Sequence, residues 1–204
     1  MSLADTLNDL SKAPELAMKL LRSSVSLYKG GEPVTMKLDP TLSPGQPSIL
    51  IIHGFTGGHG ELEELDEAMR SEYGVAVHRM YWEPCGKQTV ASLAHRAMKV
   101  LRAADSASQG APIAIIGHAM GGLIAAAIEE QAELEDIPVE AFISIASPFH
   151  GVLCQTKIGP YITRNELSPQ RAGRYIPQDE SKWLTIAGTE DPTVSKYSAL
   201  VQGT

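Results

Sequence analysis

Cysteine is scarce: Cys85 and Cys154 are the only two in 204 residues. They can form one bridge at most, which excludes a disulfide framework, and they are read as ordinary thiols. Basic charge is also short, with 17 Lys and Arg against 24 Asp and Glu and a net charge of −7. A nucleic-acid binder would carry a basic patch or stripe, so no nucleic-acid partner is expected. No stretch approaches the roughly 18 apolar residues of a membrane span, so no transmembrane segment is expected. The N-terminus, Met1-Ser2-Leu3-Ala4-Asp5, lacks the charged region and apolar core of a signal peptide. Cytoplasmic residence is therefore expected, with secretion open if a leader has been removed. No histidine pair stands at metal-ligand spacing with acids or thiols, so neither a metal nor a cofactor is expected. Internal repeats, low-complexity segments and linkers are absent too, which points to one domain over residues 1 to 204. Nothing in the sequence sets an oligomeric state.

What is present is organised around one stretch. Ile113-Ala114-Ile115-Ile116 is a short apolar run that breaks into Gly117-His118-Ala119-Met120-Gly121, and a small-residue helical run follows from Leu123 to Ile128. Strand, tight turn and helix are the setting of a nucleophile elbow, G-x-S-x-G. Small residues flank such a turn because its central residue occupies a strained backbone position that larger neighbours would crowd. The residue at the centre here is Ala119, whose methyl group cannot attack a carbonyl.

The rest of the chain supplies a frame for that turn. Residues 3 to 28 carry leucines at three- and four-residue spacing and predict an amphipathic helix or helix pair. Residues 34 to 38 suggest a short edge strand. Residues 48 to 53 are continuously apolar and β-branched, the pattern of a strand buried on both faces of a parallel sheet. A helix is expected over 61 to 71, a strand over 74 to 82 and a helix over 88 to 107. Further strands are expected over 139 to 146 and 183 to 187, followed at most by a short C-terminal helix. Residues 151 to 181 read as irregular. This alternation implies an α/β fold with a mostly parallel sheet flanked by helices.

Ligands in such sheets bind at the carboxyl ends of the strands. Three phrases at those ends carry a family resemblance: His53-Gly54-Phe55-Thr56-Gly57-Gly58, Gly117-His118-Ala119-Met120-Gly121-Gly122 and Ser147-Pro148-Phe149-His150-Gly151. In order and spacing they resemble the α/β-hydrolase superfamily, and within it the lipases and carboxylesterases. The first is similar to the oxyanion-loop motif HGFxG. The second differs from the common GHSMGG at one residue. The third is similar to a lipase segment after the next strand.

The resemblance implies acyl transfer by a Ser-His-Asp triad with two backbone N–H groups at an oxyanion hole. By it, those amides belong to Phe55 and Met120, Ala119 stands at the nucleophile position and Asp191 is the triad acid, with Glu190 a weaker candidate. Residues 151 to 181 take the place of a minimal lid or cap. Phe149, just before it, and Leu153 and Tyr161 within it are candidate substrate contacts, with Ile162, Leu167, Tyr175 and Ile176 as further apolar candidates; all of these can equally be packing residues.

The triad histidine should follow the acid, yet no histidine follows His150 in the chain. The last strand of the family fold also has no counterpart before Thr204. His53, His118 and His150 are expected to be structural, and His78 and His95 to be packed or surface residues. His59 follows the oxyanion loop and can face the cleft. The parent is therefore expected to be a carboxylic-ester hydrolase acting on an ester or lipid, and this chain to be catalytically dead. Three origins stay open: an engineered nucleophile change, a natural pseudoenzyme that binds a lipid, ester or protein, or a base supplied by a later segment or another chain.

Overall fold

The computed structural model describes residues 35–55, 62–82, 88–152, 167–189, 191 and 194–200. The helix expected over 3 to 28 lies outside the described residues, as do His59, Cys85, Leu153, Cys154, Tyr161, Ile162 and Glu190. Among the described residues, six strands form one sheet: β1 (Thr35–Lys37), β2 (Ser48–Ile52), β3 (Ala76–Tyr81), β4 (Ile113–His118), β5 (Val139–Ile145) and β6 (Trp183–Ile186). Their spatial order is β1-β3-β2-β4-β5-β6. β1 runs antiparallel to β3, and every other neighbouring pair is parallel. This is the expected mostly parallel sheet flanked by helices.

The apolar runs occupy the middle of the sheet. Every residue of β2 and β4 is buried, as continuous β-branched runs require when both faces are covered. Alternation splits them between two cores. Leu50, Ile52, Ile113 and Ile115 join one face with residues of α2 (Val90–Ser108) and α3 (Met120–Leu134). Ile49, Ile51, Ala114 and Ile116 join the other with Leu65 and Met69 of α1 (Glu63–Tyr73).

Helix ends follow local chemistry. Glu63, Glu64 and Asp66 sit in the first turn of α1, where the helix dipole favours acids. Gly74 ends that helix at φ 65°, and its N–H donates to the Arg70 carbonyl. α2 opens on a capping box in which Thr89 and Ser92 exchange side-chain-to-backbone bonds of 3.1 Å each.

A buried charge network ties α1 to the β1 edge of the sheet. The Asp39 carboxylate accepts from the Val77 N–H at 2.8 Å, from Thr41 through both its N–H and its hydroxyl, and from Arg70. Burial opposes its ionisation, but the Thr41, Val77 and Arg70 bonds outweigh that and bring its pKa down to about 2. Arg70 also bonds Asp66 at 2.6 Å, and Arg79 pairs with the same carboxylate. His78 lies inside this network, its Nδ1 accepting from the Asp39 N–H at 3.0 Å. Burial pushes its pKa down to about 4, with the Asp39 charge opposing and Arg70 assisting.

The segment expected to be irregular holds two short helical pieces among its described residues: α4 (Pro169–Ala172) and a 3₁₀ turn (Glu180–Lys182). α5 (Lys196–Ala199) is the expected short C-terminal helix.

Candidate active site at the carboxyl ends of the strands

β4 passes into α3 through Ala119 alone. Its backbone stands at φ 49°, ψ −117°, a region in which an L side chain is strained and which glycine would enter freely. The Ala119 N–H donates to the Ile145 carbonyl at 2.9 Å, and its carbonyl accepts from Gly122 at 3.1 Å. Ala146, at the end of the adjacent strand, is also forced to a positive φ, 48°. Strained alanines thus stand side by side where β4 and β5 end.

The neighbouring glycines are required by contact. A Cβ at Gly117 would lie 2.5 Å from the Gly121 carbonyl carbon and the Gly122 nitrogen. One at Gly121 would overlap the Ile52 carbonyl oxygen and lie 2.9 Å from that of His53. One at Gly122 would overlap the Ser147 hydroxyl. The first turn of α3 is thereby pressed against the ends of both β2 and β5, drawing all three strand-end phrases together.

His53 fixes the loop after β2. It is buried, stacks on Trp82 at 3.7 Å and uses both ring nitrogens. Nδ1 donates to the Gly54 carbonyl at 2.7 Å and Nε2 accepts from the Trp82 N–H at 3.3 Å. Phe55 follows, half-buried against the cluster that contains Met120. Met120 is buried, while Ala119 between the strand and helix stays partly open.

Asp191 lies beyond β6, a strand two positions from β4 in the sheet. Its Oδ1 accepts from the Val194 N–H at 2.9 Å. Phe149, one of the candidate substrate contacts, is fully buried and sits edge-on to Trp183 at 5.8 Å. In this structure it packs on Trp183. Tyr175 and Ile176 line a cleft between α2 and α3, away from the strand ends. His150 is exposed and bonds the Leu200 carbonyl through Nε2 at 3.2 Å. His118 is buried, His78 is packed as described, and His95 is on the surface of α2. No cluster of potential metal ligands occurs among the described residues.

Sequence reasoning missed Glu129 of α3. Its buried carboxylate accepts from the Gln178 N–H at 2.8 Å, the Asp179 N–H at 3.0 Å and the Trp183 indole at 3.1 Å. It joins the helix that follows Ala119 to the strand that precedes Asp191. Glu129 follows the apolar run at its end and opens the polar stretch Glu129-Glu130-Gln131-Ala132-Glu133, so no local pattern singled it out.

The family model for palmitoyl protein thioesterase matches residues 48–197, which takes in every strand-end phrase. The chain belongs to the palmitoyl protein thioesterase family. As a member of this family it shares the α/β-hydrolase fold with solved esterases and lipases. Est1E from Butyrivibrio proteoclasticus, solved with ferulic acid, is 22% identical with a TM-score of 0.58, over 80% of this chain and 78% of that one. The mature lipase BlEst2 of Bacillus licheniformis is 16% identical with a TM-score of 0.52, over 71% and 65% respectively. The thioesterase-family chain therefore spans less than two thirds of that lipase's length. No curated protein is significantly similar to it in sequence.

Proposed function

We propose that this chain is an acyl-ester or acyl-thioester hydrolase domain whose nucleophile position is held by Ala119, so that it binds acyl substrates without turning them over. The observation that carries this reading is the Ala119 backbone at φ 49°, ψ −117°. A strained turn at the carboxyl end of a central strand suits a residue that must be lifted toward a ligand. The surrounding glycines keep that turn even though the side chain has no attacking atom.

The other roles follow from the same reading. The N–H groups of Phe55 and Met120 would bond the substrate carbonyl oxygen, and they are independent of the side chain at 119. Asp191 would orient a histidine, but none follows it within these 204 residues. The family's printed name adds thioesters to the esters expected from the sequence, with a long acyl chain as the group bound.

Two substitutions test the reading together. Ala119→Ser, in this 204-residue chain, should give negligible hydrolysis of a p-nitrophenyl ester, because on this reading none of its histidines follows Asp191 to activate the hydroxyl. The background to exceed is oxyanion-hole catalysis, on the order of 10³ over water in the serine-protease template. Ala119→Cys should instead take up an acyl group, since a thiol is intrinsically the stronger nucleophile. Robust turnover by the serine variant would show that a base is present, and failure of the cysteine variant to acylate would remove the proposed site.

A further inference from the structure

We propose that the cleft between α2 and α3 is a second ligand site, which takes a small carboxylate with an apolar body. It does not depend on the reading of Ala119, and none of its lining residues lies at a strand end. The cleft is open to solvent and has a volume of about 560 Å³, within the range of small-molecule sites. Ala94 and Met98 of α2 and Ala127 of α3 give it apolar lining, to which Tyr175 adds. Short side chains here leave room that longer ones would fill.

The charges at the rim are unevenly matched. Arg102 is held by Glu135 through two bonds of 2.6 Å. Arg174 has no acidic partner among the described residues, and it lines the cleft together with the exposed His95. Glu130 is the one acid in the lining. A guanidinium beside an apolar lining matches a carboxylate whose hydrocarbon part lies along that lining.

The wall bearing Arg174 is held in place beforehand. The buried Glu129 carboxylate binds the N–H groups of Gln178, which lines the cleft with Tyr175 and Ile176, and of Asp179 beside it. A wall fixed in this way need not be ordered when a ligand arrives, which favours binding.

Octanoate is a suitable probe, titrated calorimetrically into the full chain beside neutral octanamide. We expect saturable one-to-one binding of octanoate and at least roughly tenfold weaker binding of octanamide. Arg174→Gln, at an exposed side chain, should weaken octanoate roughly tenfold while leaving the melting temperature in place. Glu130→Gln should tighten it by about twofold or more, as repulsion is removed. Absence of saturable binding, equal affinity for octanamide, or octanoate binding unchanged by Arg174→Gln would each overturn the proposal. The last of these would show that the acid binds elsewhere, the proposed acyl site included.

Discussion

The Ala119 N–H donates to the Ile145 carbonyl at 2.9 Å, so the end of β5 holds the most contorted residue of the β4–α3 turn. The strain resides in the Cβ of Ala119. Ala119→Gly should therefore stabilise the fold: about 1–3 kcal/mol of relieved strain outweighs the roughly 1 kcal/mol entropic cost of glycine. A net gain near 1 kcal/mol would raise the melting temperature by about 2–4 °C in a domain of this size. A lower melting temperature would mean that the torsions cost nothing.

Gly121 should behave in the opposite way. Its missing side chain is where the Ile52 and His53 carbonyls approach, and backbone cannot swing aside as a flexible side chain can. Gly121→Ala should cost more than about 3 kcal/mol, read as a fall in the urea midpoint. An unchanged midpoint would show that α3 does not press on the end of β2.

Much of the fold was legible because its signals are local. The apolar runs of β2 and β4 and the glycines around Ala119 all speak through neighbouring residues. The Glu129 bonds were not legible, since they reach about fifty residues along the chain to Gln178, Asp179 and Trp183. The Asp39–Arg70–Asp66–Arg79 network was hidden for the same reason. Phe149 shows a different limit. An aromatic beside a strand-end motif suits a pocket or a core equally, and no local pattern announces its edge-on contact with Trp183.

Removing the Glu129 carboxylate should loosen the approach to β6. Glu129→Ala would leave two backbone N–H groups and the Trp183 indole without their acceptor, at a cost of about 2–4 kcal/mol. Tryptophan emission should shift to the red as Trp183 gains water. Glu129→Gln keeps one acceptor oxygen and should lose less. Equal losses from both variants would mean that the carboxylate's multiple bonds do not matter.

The buried network predicts an acid-sensitive fold. His78 has its pKa lowered from 6.5 to about 4 in the folded chain, so the unfolded chain binds the extra proton between those values. Stability is then full above pH 6.5 and falls as the pH drops toward 4, by on the order of 3 kcal/mol. Asp39, lowered from 3.8 to about 2, adds a second loss as the pH falls from about 4 toward 2. Urea midpoints measured from pH 7.5 to 4.5 check the first step. His78→Gln should flatten it, and an unchanged slope would assign the titration to another group.

Acyl capture at position 119 is the sharpest test of an acyl-binding site at the β4–α3 turn. The variant Ala119→Cys, made with Cys85→Ser and Cys154→Ser, is mixed with a palmitoyl thioester and followed by intact mass. A thiol at the start of α3 is favoured as thiolate by the helix dipole. One acyl adduct is expected, mapped to residue 119 and long-lived under the proposed reading, in which no base within these 204 residues activates water to release it. It should form at least roughly tenfold faster than on the chain that retains only Cys85 and Cys154. No adduct, or one formed no faster than at those two cysteines, would contradict an acyl-transfer site at this turn.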